Sequence, residues 1–143
     1  MIYLDTSVLV AVIAHESTAA AIVNWMAREN QALISGDWCV TEVASAIALK
    51  KRTRQITATQ ANAAWDIFSE FCDTTLRLMP IDRSVFNAAA TLVRESEIGL
   101  RAGDALHLAL ALSLQSSALA TLDNQLAASA ELLGLKIASF EPF

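Results

Sequence analysis

The chain alternates short apolar runs with longer stretches of helical periodicity, and this alternation limits its fold more than any other feature. Residues 2–4 form one apolar run that ends at Asp5, and residues 118–122 form another that ends at Asp123. Stripes of apolar residues spaced three and four apart lie between them. Strands separated by helices usually pair in parallel. The sequence therefore predicts an α/β fold, with a central parallel sheet between two layers of helices.

The composition favours one compact domain spanning residues 1–143. Hydrophobic residues make up 55% of the chain and charged residues 17%, with only 4 Gly and 2 Pro. Disordered chains have the opposite composition, and an all-β sandwich or barrel would need more turn residues. A domain usually has about 150 residues, so 143 residues correspond to one domain.

We expect a cytoplasmic protein with no membrane contact, although the mean hydropathy is +0.43. Residues 105–122 lack Asp, Glu, Lys and Arg, but polar side chains interrupt them and Asp104 and Asp123 flank them. These features indicate a buried helix and strand rather than a membrane span. Residues 1–30 lack the pattern of a signal peptide. Cys39 and Cys72 have no metal-ligand spacing, so we expect reduced thiols in the core.

Capping residues predict where several helices begin and end. Thr41 is a good N-cap, which would put Glu42 in the first turn of its helix. Thr57 and Gln60 match the S/T-x-x-Q capping box. Gly134 suits the residue that follows the last helix, and residues 136–140 would form a final strand.

Four acidic residues lie where a buried strand ends or a helix begins, and solubility alone does not explain these positions. Asp5 and Asp123 follow buried strands, whereas Glu42 and Asp104 open helices. In a parallel sheet these positions meet at the carboxyl edge, where ligands bind. Converging carboxylates repel unless a cation neutralises them, and an oxygen-only ligand set favours Mg²⁺ or Mn²⁺. The alternative for each acid alone is a charge that stabilises a helix N-terminus.

Four short segments contain these acids: residues 2–7 (IYLDTS), 41–43 (TEV), 103–109 (GDALHLA) and 121–123 (TLD). They resemble, in the same order, the signature motifs of PIN-domain ribonucleases. The match is closest to the VapC toxin branch and covers essentially the whole chain. The resemblance implies a PIN-like three-layer α/β/α domain.

The resemblance also implies an activity and its partners. The chain would be an endoribonuclease toxin that hydrolyses RNA through a metal-activated water. A cognate VapB-like antitoxin would neutralise it, and it would form a homodimer. Asn124 occupies a position where members of this family often carry a further acid, so the resemblance implies one or two metal ions. The catalytic, metal-binding acids would be Asp5, Glu42, Asp104 and Asp123, supported by the hydroxyls of Thr6, Ser7 and Thr121.

The net charge of −5 is low for a nucleic-acid enzyme, but setting the four acids aside leaves acidic and basic residues nearly balanced. We predict that Arg101, just before Asp104, contacts RNA, and that Lys50 and Arg52 are weaker candidates. Their alternative role is to stabilise a helix C-terminus. Trp38 is interpreted as rim packing rather than base stacking. His107 is interpreted as a satisfied core residue and not as a catalytic one.

Two other functions are compatible with a small α/β domain. A phosphoacceptor receiver domain also carries acids at strand ends, but it pairs adjacent acids after the first strand, where this chain has Asp5 followed by Thr6. A non-catalytic PIN-like binding module is the second alternative. The presence of all four acids argues against it.

Overall fold

A five-stranded sheet, parallel throughout, forms the centre of the computed structural model, which describes residues 1–140. The strand order is β3-β2-β1-β4-β5. In chain order the elements are β1 (Ile2–Leu4), α1 (Thr6–Ile13), α2 (Ala19–Arg28), β2 (Leu33–Gly36), α3 (Trp38–Arg52), α4 (Ala58–Thr74), β3 (Arg77–Met79), α5 (Arg83–Glu95), α6 (Ala102–Ser113), β4 (Ala118–Ala120), α7 (Asn124–Leu132) and β5 (Lys136–Ile137). The predicted α/β class is confirmed.

Two apolar clusters, one on each face of the sheet, produce the three-layer arrangement. Ile2 and Leu4 pack with helices α1 to α4, whereas Tyr3 packs with α5 to α7. Successive side chains of a strand point to opposite faces, so this central strand contributes to both cores. The three-layer α/β/α prediction is therefore confirmed. None of the helices in residues 1–140 is long and apolar enough to cross a membrane.

The capping predictions succeed where the signal is local. Thr57 and Gln60 form the reciprocal capping box at the start of α4. Gly134 follows α7 with a positive φ of 81°, a conformation that glycine adopts without strain.

Cys39 is buried in the core, where desolvation raises the pKa of its thiol to about 12. Both cysteines are free thiols.

The predicted start of the third helix at Thr41 is wrong. Helix α3 begins at Trp38, so Glu42 lies in its second turn. Tertiary contacts set this start, because the Asp37 N–H donates to the Met79 carbonyl at the end of β3 and Cys39 is fully buried. Helix α1 and strand β2 were not predicted from the sequence.

The strand predicted over residues 118–122 is shorter than expected. Strand β4 ends at Ala120, so Asp123 lies beyond it as the N-cap of α7. The Asp123 N–H donates to Thr121 Oγ1 at 3.0 Å, which turns the chain out of the sheet before the helix begins. The final strand likewise spans only Lys136–Ile137 rather than residues 136–140.

Candidate active site

Asp5 is held at the carboxyl end of β1 by two hydroxyl groups. Its side chain is buried, and its Oδ2 accepts hydrogen bonds from Ser7 Oγ at 2.6 Å and Thr121 Oγ1 at 2.8 Å. Ser7 Oγ in turn accepts the Leu122 N–H at 2.9 Å. The backbone of Asp5 also donates to the Ala120 carbonyl at 2.9 Å, so β1 and β4 are joined directly below the carboxylate. Asp5 does not cap α1 with its side chain.

Glu42 reaches the same region from α3 and is bound by donors from three other positions. Thr6 Oγ1 donates to its Oε1 at 2.7 Å, and His107 Nε2 makes a short hydrogen bond to the same oxygen. Burial alone would raise the pKa of Glu42, but the bond and charge of His107, with bonds from Thr6 and Trp38, hold it below its ordinary value. Glu42 is therefore a carboxylate at neutral pH.

Asp104 and Asp123 share one arginine. Arg101 Nε donates to Asp104 Oδ2 at 3.2 Å, and its terminal nitrogen donates to Asp123 Oδ2 at 2.9 Å. Burial, together with the charges of Asp123 and Asp5, raises the pKa of Asp104 despite this arginine. The arginine side chain is 70% exposed, so solvent screens both ion pairs. Negative charge in this region is therefore only partly compensated.

All four predicted acids line one open cleft of about 800 Å³. The cleft is also lined by Trp38, Arg101 and two of the predicted supporting residues, Thr6 and Ser7. The third supporting residue, Thr121, lies directly beside the cleft, where it donates to Asp5. Strands β1 and β4 end beneath the cleft, and α3 and α6 form its sides. The carboxyl edge of the sheet thus brings together side chains that lie far apart in the sequence, as the parallel arrangement predicts.

The three predicted RNA-contacting cations lie in different places. Arg101 lines the acidic cleft. Lys50 Nζ is 3.0 Å from Glu16 Oε1 and forms an ion pair with it. Arg52 lines a separate groove between α3 and α4, together with Trp65.

The donor atoms of the cleft suit a hard divalent cation. Carboxylate and hydroxyl oxygens are the ligands that Mg²⁺ and Mn²⁺ prefer. Burial, and then the charges of Asp123 and Asp5, raise the pKa of Asp104, and a cation would offset the part that comes from those charges. Within residues 1–140, however, no group of three or more Asp, Glu, His or Cys side chains is arranged so that it could hold a metal ion.

Three residues beside the acids were not predicted as part of the site: His107 and Trp38 contact Glu42, and Tyr3 contacts His107. His107 is buried, whereas Trp38 begins α3 and lines the cleft. The spacing of His107, three residues after Asp104 and so on the same face of a helix, was the available signal.

Comparison with known proteins assigns the family. The PIN domain family matches residues 2–132. The chain belongs to the PIN-domain family. Among curated proteins, no sequence matches at a significant level.

Solved structures with this PIN fold include toxins and toxin–antitoxin complexes. VapC20 of Mycobacterium tuberculosis, described as a toxin that cleaves the sarcin–ricin loop, has a TM-score of 0.71 and 20% identity over 90% of this chain and 95% of the other. The FitAcB structure from Neisseria gonorrhoeae has a TM-score of 0.68 and 17% identity over 98% of both chains. VapBC2 from Rickettsia felis, bound to promoter DNA, has a TM-score of 0.66 and 17% identity over 96% and 98%. At these identities the similarity establishes the fold.

Proposed function

We propose that this PIN domain is a metal-dependent endoribonuclease toxin that hydrolyses RNA phosphodiester bonds. The observation that carries the proposal is the convergence of Asp5, Glu42, Asp104 and Asp123 on one cleft at the carboxyl edge of the sheet. Four carboxylates so placed would repel one another unless a cation neutralised them, which supports a metal site. Family membership, over residues 2–132, supports a nuclease over a receiver-like signalling domain.

The residues of the cleft divide into groups with different roles. The four carboxylates would hold Mg²⁺ or Mn²⁺, while Thr6, Ser7 and Thr121 keep Glu42 and Asp5 in place through the hydrogen bonds described above. The bound cation would activate the attacking water and stabilise charge on the leaving oxygen. Arg101 is exposed at the edge of the cleft, so its guanidinium can move from the carboxylates to a phosphate of the RNA. Lys50 and Arg52 stay candidates for flanking phosphates.

The proposal includes partners and a cellular setting. The structural similarity to VapBC2 and FitAB complexes favours a cognate VapB-like antitoxin that blocks the cleft. A homodimer, a cytoplasmic location and a single PIN domain spanning residues 1–143 complete the proposal.

The test is cleavage of a structured RNA pool by purified protein with Mg²⁺ or Mn²⁺, beside an EDTA control. Asp104→Asn should lower the rate about 100-fold, a typical cost of losing one preorganised charge contact. Asp66→Asn makes the same chemical change at an exposed position on α4 and should leave the rate unchanged. Mass spectrometry of the preparation excludes a co-purified antitoxin. Equal cleavage by wild type and Asp104→Asn, or cleavage that persists in EDTA, would contradict the proposal.

A further inference from the structure

His107 is a fully buried polar side chain at the contact between α6 and the sheet, and both of its ring nitrogens have partners. Its Nδ1 lies 2.8 Å from the hydroxyl of Tyr3. Its Nε2 contacts Glu42 Oε1 and lies 3.2 Å from Thr6 Oγ1. Burying an imidazole without such partners would be costly. The ring therefore connects Tyr3 of β1 with Glu42, an acid of the proposed active site.

The direction of these hydrogen bonds follows from which groups can donate. The Glu42 carboxylate only accepts. Thr6 has a single hydroxyl proton, which it donates to Glu42 Oε1 at 2.7 Å, so its contact with His107 must be with a donor. Both contacts require a proton on His107 Nε2. This requirement holds whether the ring is neutral or charged.

Tyr3 occupies the other side of the ring and is itself fixed in place. Its hydroxyl accepts the Gly36 N–H at 3.0 Å. A Cβ at position 36 would lie 2.9 Å from that oxygen and 2.7 Å from Leu110 Cδ2, so glycine is what admits the hydroxyl. The phenol is completely buried, and it meets the His107 ring edge-on with the centroids 5.7 Å apart.

We propose that Tyr3 and His107 form a positioning relay that holds His107 Nε2–H against Glu42 and thereby fixes the rotation of the Glu42 carboxylate in the cleft. His107 and Tyr3 are positioning residues, since they act through Glu42. The inference rests on the proposed function only in that Glu42 is assigned to metal binding. The relay itself is a property of the metal-free protein.

The first test is nuclear magnetic resonance of metal-free protein labelled with ¹⁵N-histidine. The chain has 2 histidines, and His15→Gln identifies the exposed one. We expect a protonated His107 Nε2 that exchanges slowly with solvent. Tyr3→Phe should shift the Nδ1 resonance and speed exchange of the Nε2 proton. An unprotonated Nε2 in the wild type, or an unchanged His107 spectrum in Tyr3→Phe, would overturn the relay.

The second test measures Mn²⁺ affinity by calorimetry. Tyr3→Phe should weaken binding about tenfold, at the lower end of the usual cost of losing a group that orients a metal ligand. Phe68→Leu disturbs the core on the opposite face of the sheet and serves as the control for lost stability. Equal affinity in wild type and Tyr3→Phe would remove the positioning role.

A further pair of variants covers the case in which Tyr3→Phe does not fold. His107→Gln keeps an amide N–H near Glu42, so it should retain more Mn²⁺ affinity than His107→Ala; equal affinities would contradict the relay. If the wild type itself binds no Mn²⁺, the proposed metal site fails, and the resonance measurement still decides whether the relay exists.

Discussion

Gly103 shows how closely individual atoms are packed beside the proposed catalytic acids. A Cβ at this position would lie 3.2 Å from Glu42 Oε2 and 3.2 Å from Trp38 Nε1. Such contacts are tighter than ordinary van der Waals contact, so Glu42 or Trp38 would have to move. The glycine belongs to the first turn of α6, directly before Asp104.

We therefore expect Gly103→Ala to impair catalysis without loss of stability. Alanine favours a helix over glycine by about 0.5–1 kcal/mol, which offsets the crowding. Displacing Glu42 should lower the cleavage rate about tenfold, because small misplacements of catalytic groups are costly. Rates and urea unfolding midpoints would be compared with those of Ala102→Gly, which alters the same turn without adding atoms. A large fall in stability, or an unchanged rate, would contradict this account.

Helix α7 depends on Asp123 in a way that can be separated from the role of Asp123 in the cleft. Its Oδ1 caps the helix by accepting the N–H groups of Gln125 and Leu126 at 2.9 and 3.0 Å. Its Oδ2 faces Arg101. One carboxylate thus supports both the helix and the proposed metal site, with a different oxygen for each.

Asparagine and alanine at position 123 should distinguish these two roles. Asp123→Asn keeps a capping oxygen and should retain stability, whereas Asp123→Ala should lose about 1 kcal/mol of unfolding free energy. Both variants remove the charge, so both should lower RNA cleavage. Thr57→Ala removes the cap of α4, away from the cleft, and should cost similar stability with normal cleavage. Full activity in Asp123→Asn would show that the charge is dispensable.

Across the whole molecule, the buried contact between Glu42 and His107 links the free energy of unfolding to pH. Folding lowers the pKa of Glu42 below its ordinary value of 4.5. Burial opposes the charged form of His107, but the bond to Glu42 and the charges of Asp5, Glu42 and Asp104 raise its pKa above 6.5. The contribution of Glu42 to the free energy of unfolding is therefore lost at low pH, and that of His107 is lost at high pH.

The stabilising contribution of the pair should be complete between about pH 4.5 and 6.5. Below this window it is lost as the pH falls through the lowered pKa of Glu42. Above the window it is lost as the pH rises through the raised pKa of His107. Urea unfolding of wild type and His107→Gln, both in EDTA, should differ most inside the window. A difference that is constant from about pH 4 to 8 would disprove the charged pair.

Local patterns explain which parts of this fold could be predicted from the sequence. The capping box at Thr57 and the glycine at position 134 act within a few residues, and both were predicted correctly. The start of α3 was misplaced because Asp37 bonds to Met79, a residue that lies far along the chain on another strand. No local propensity reports such a contact.

The same distinction applies to the candidate site. The alternation of strands and helices and the positions of the four acids could be predicted from the sequence, because periodicity and strand ends are local properties. The groups that hold those acids in place could not be predicted, because they come from distant parts of the chain. Tyr3 and His107 are 104 positions apart, and Arg101 and Asp123 are 22 apart. The partner of a buried polar group depends on which distant elements pack together, and the residue type alone carries no record of that choice.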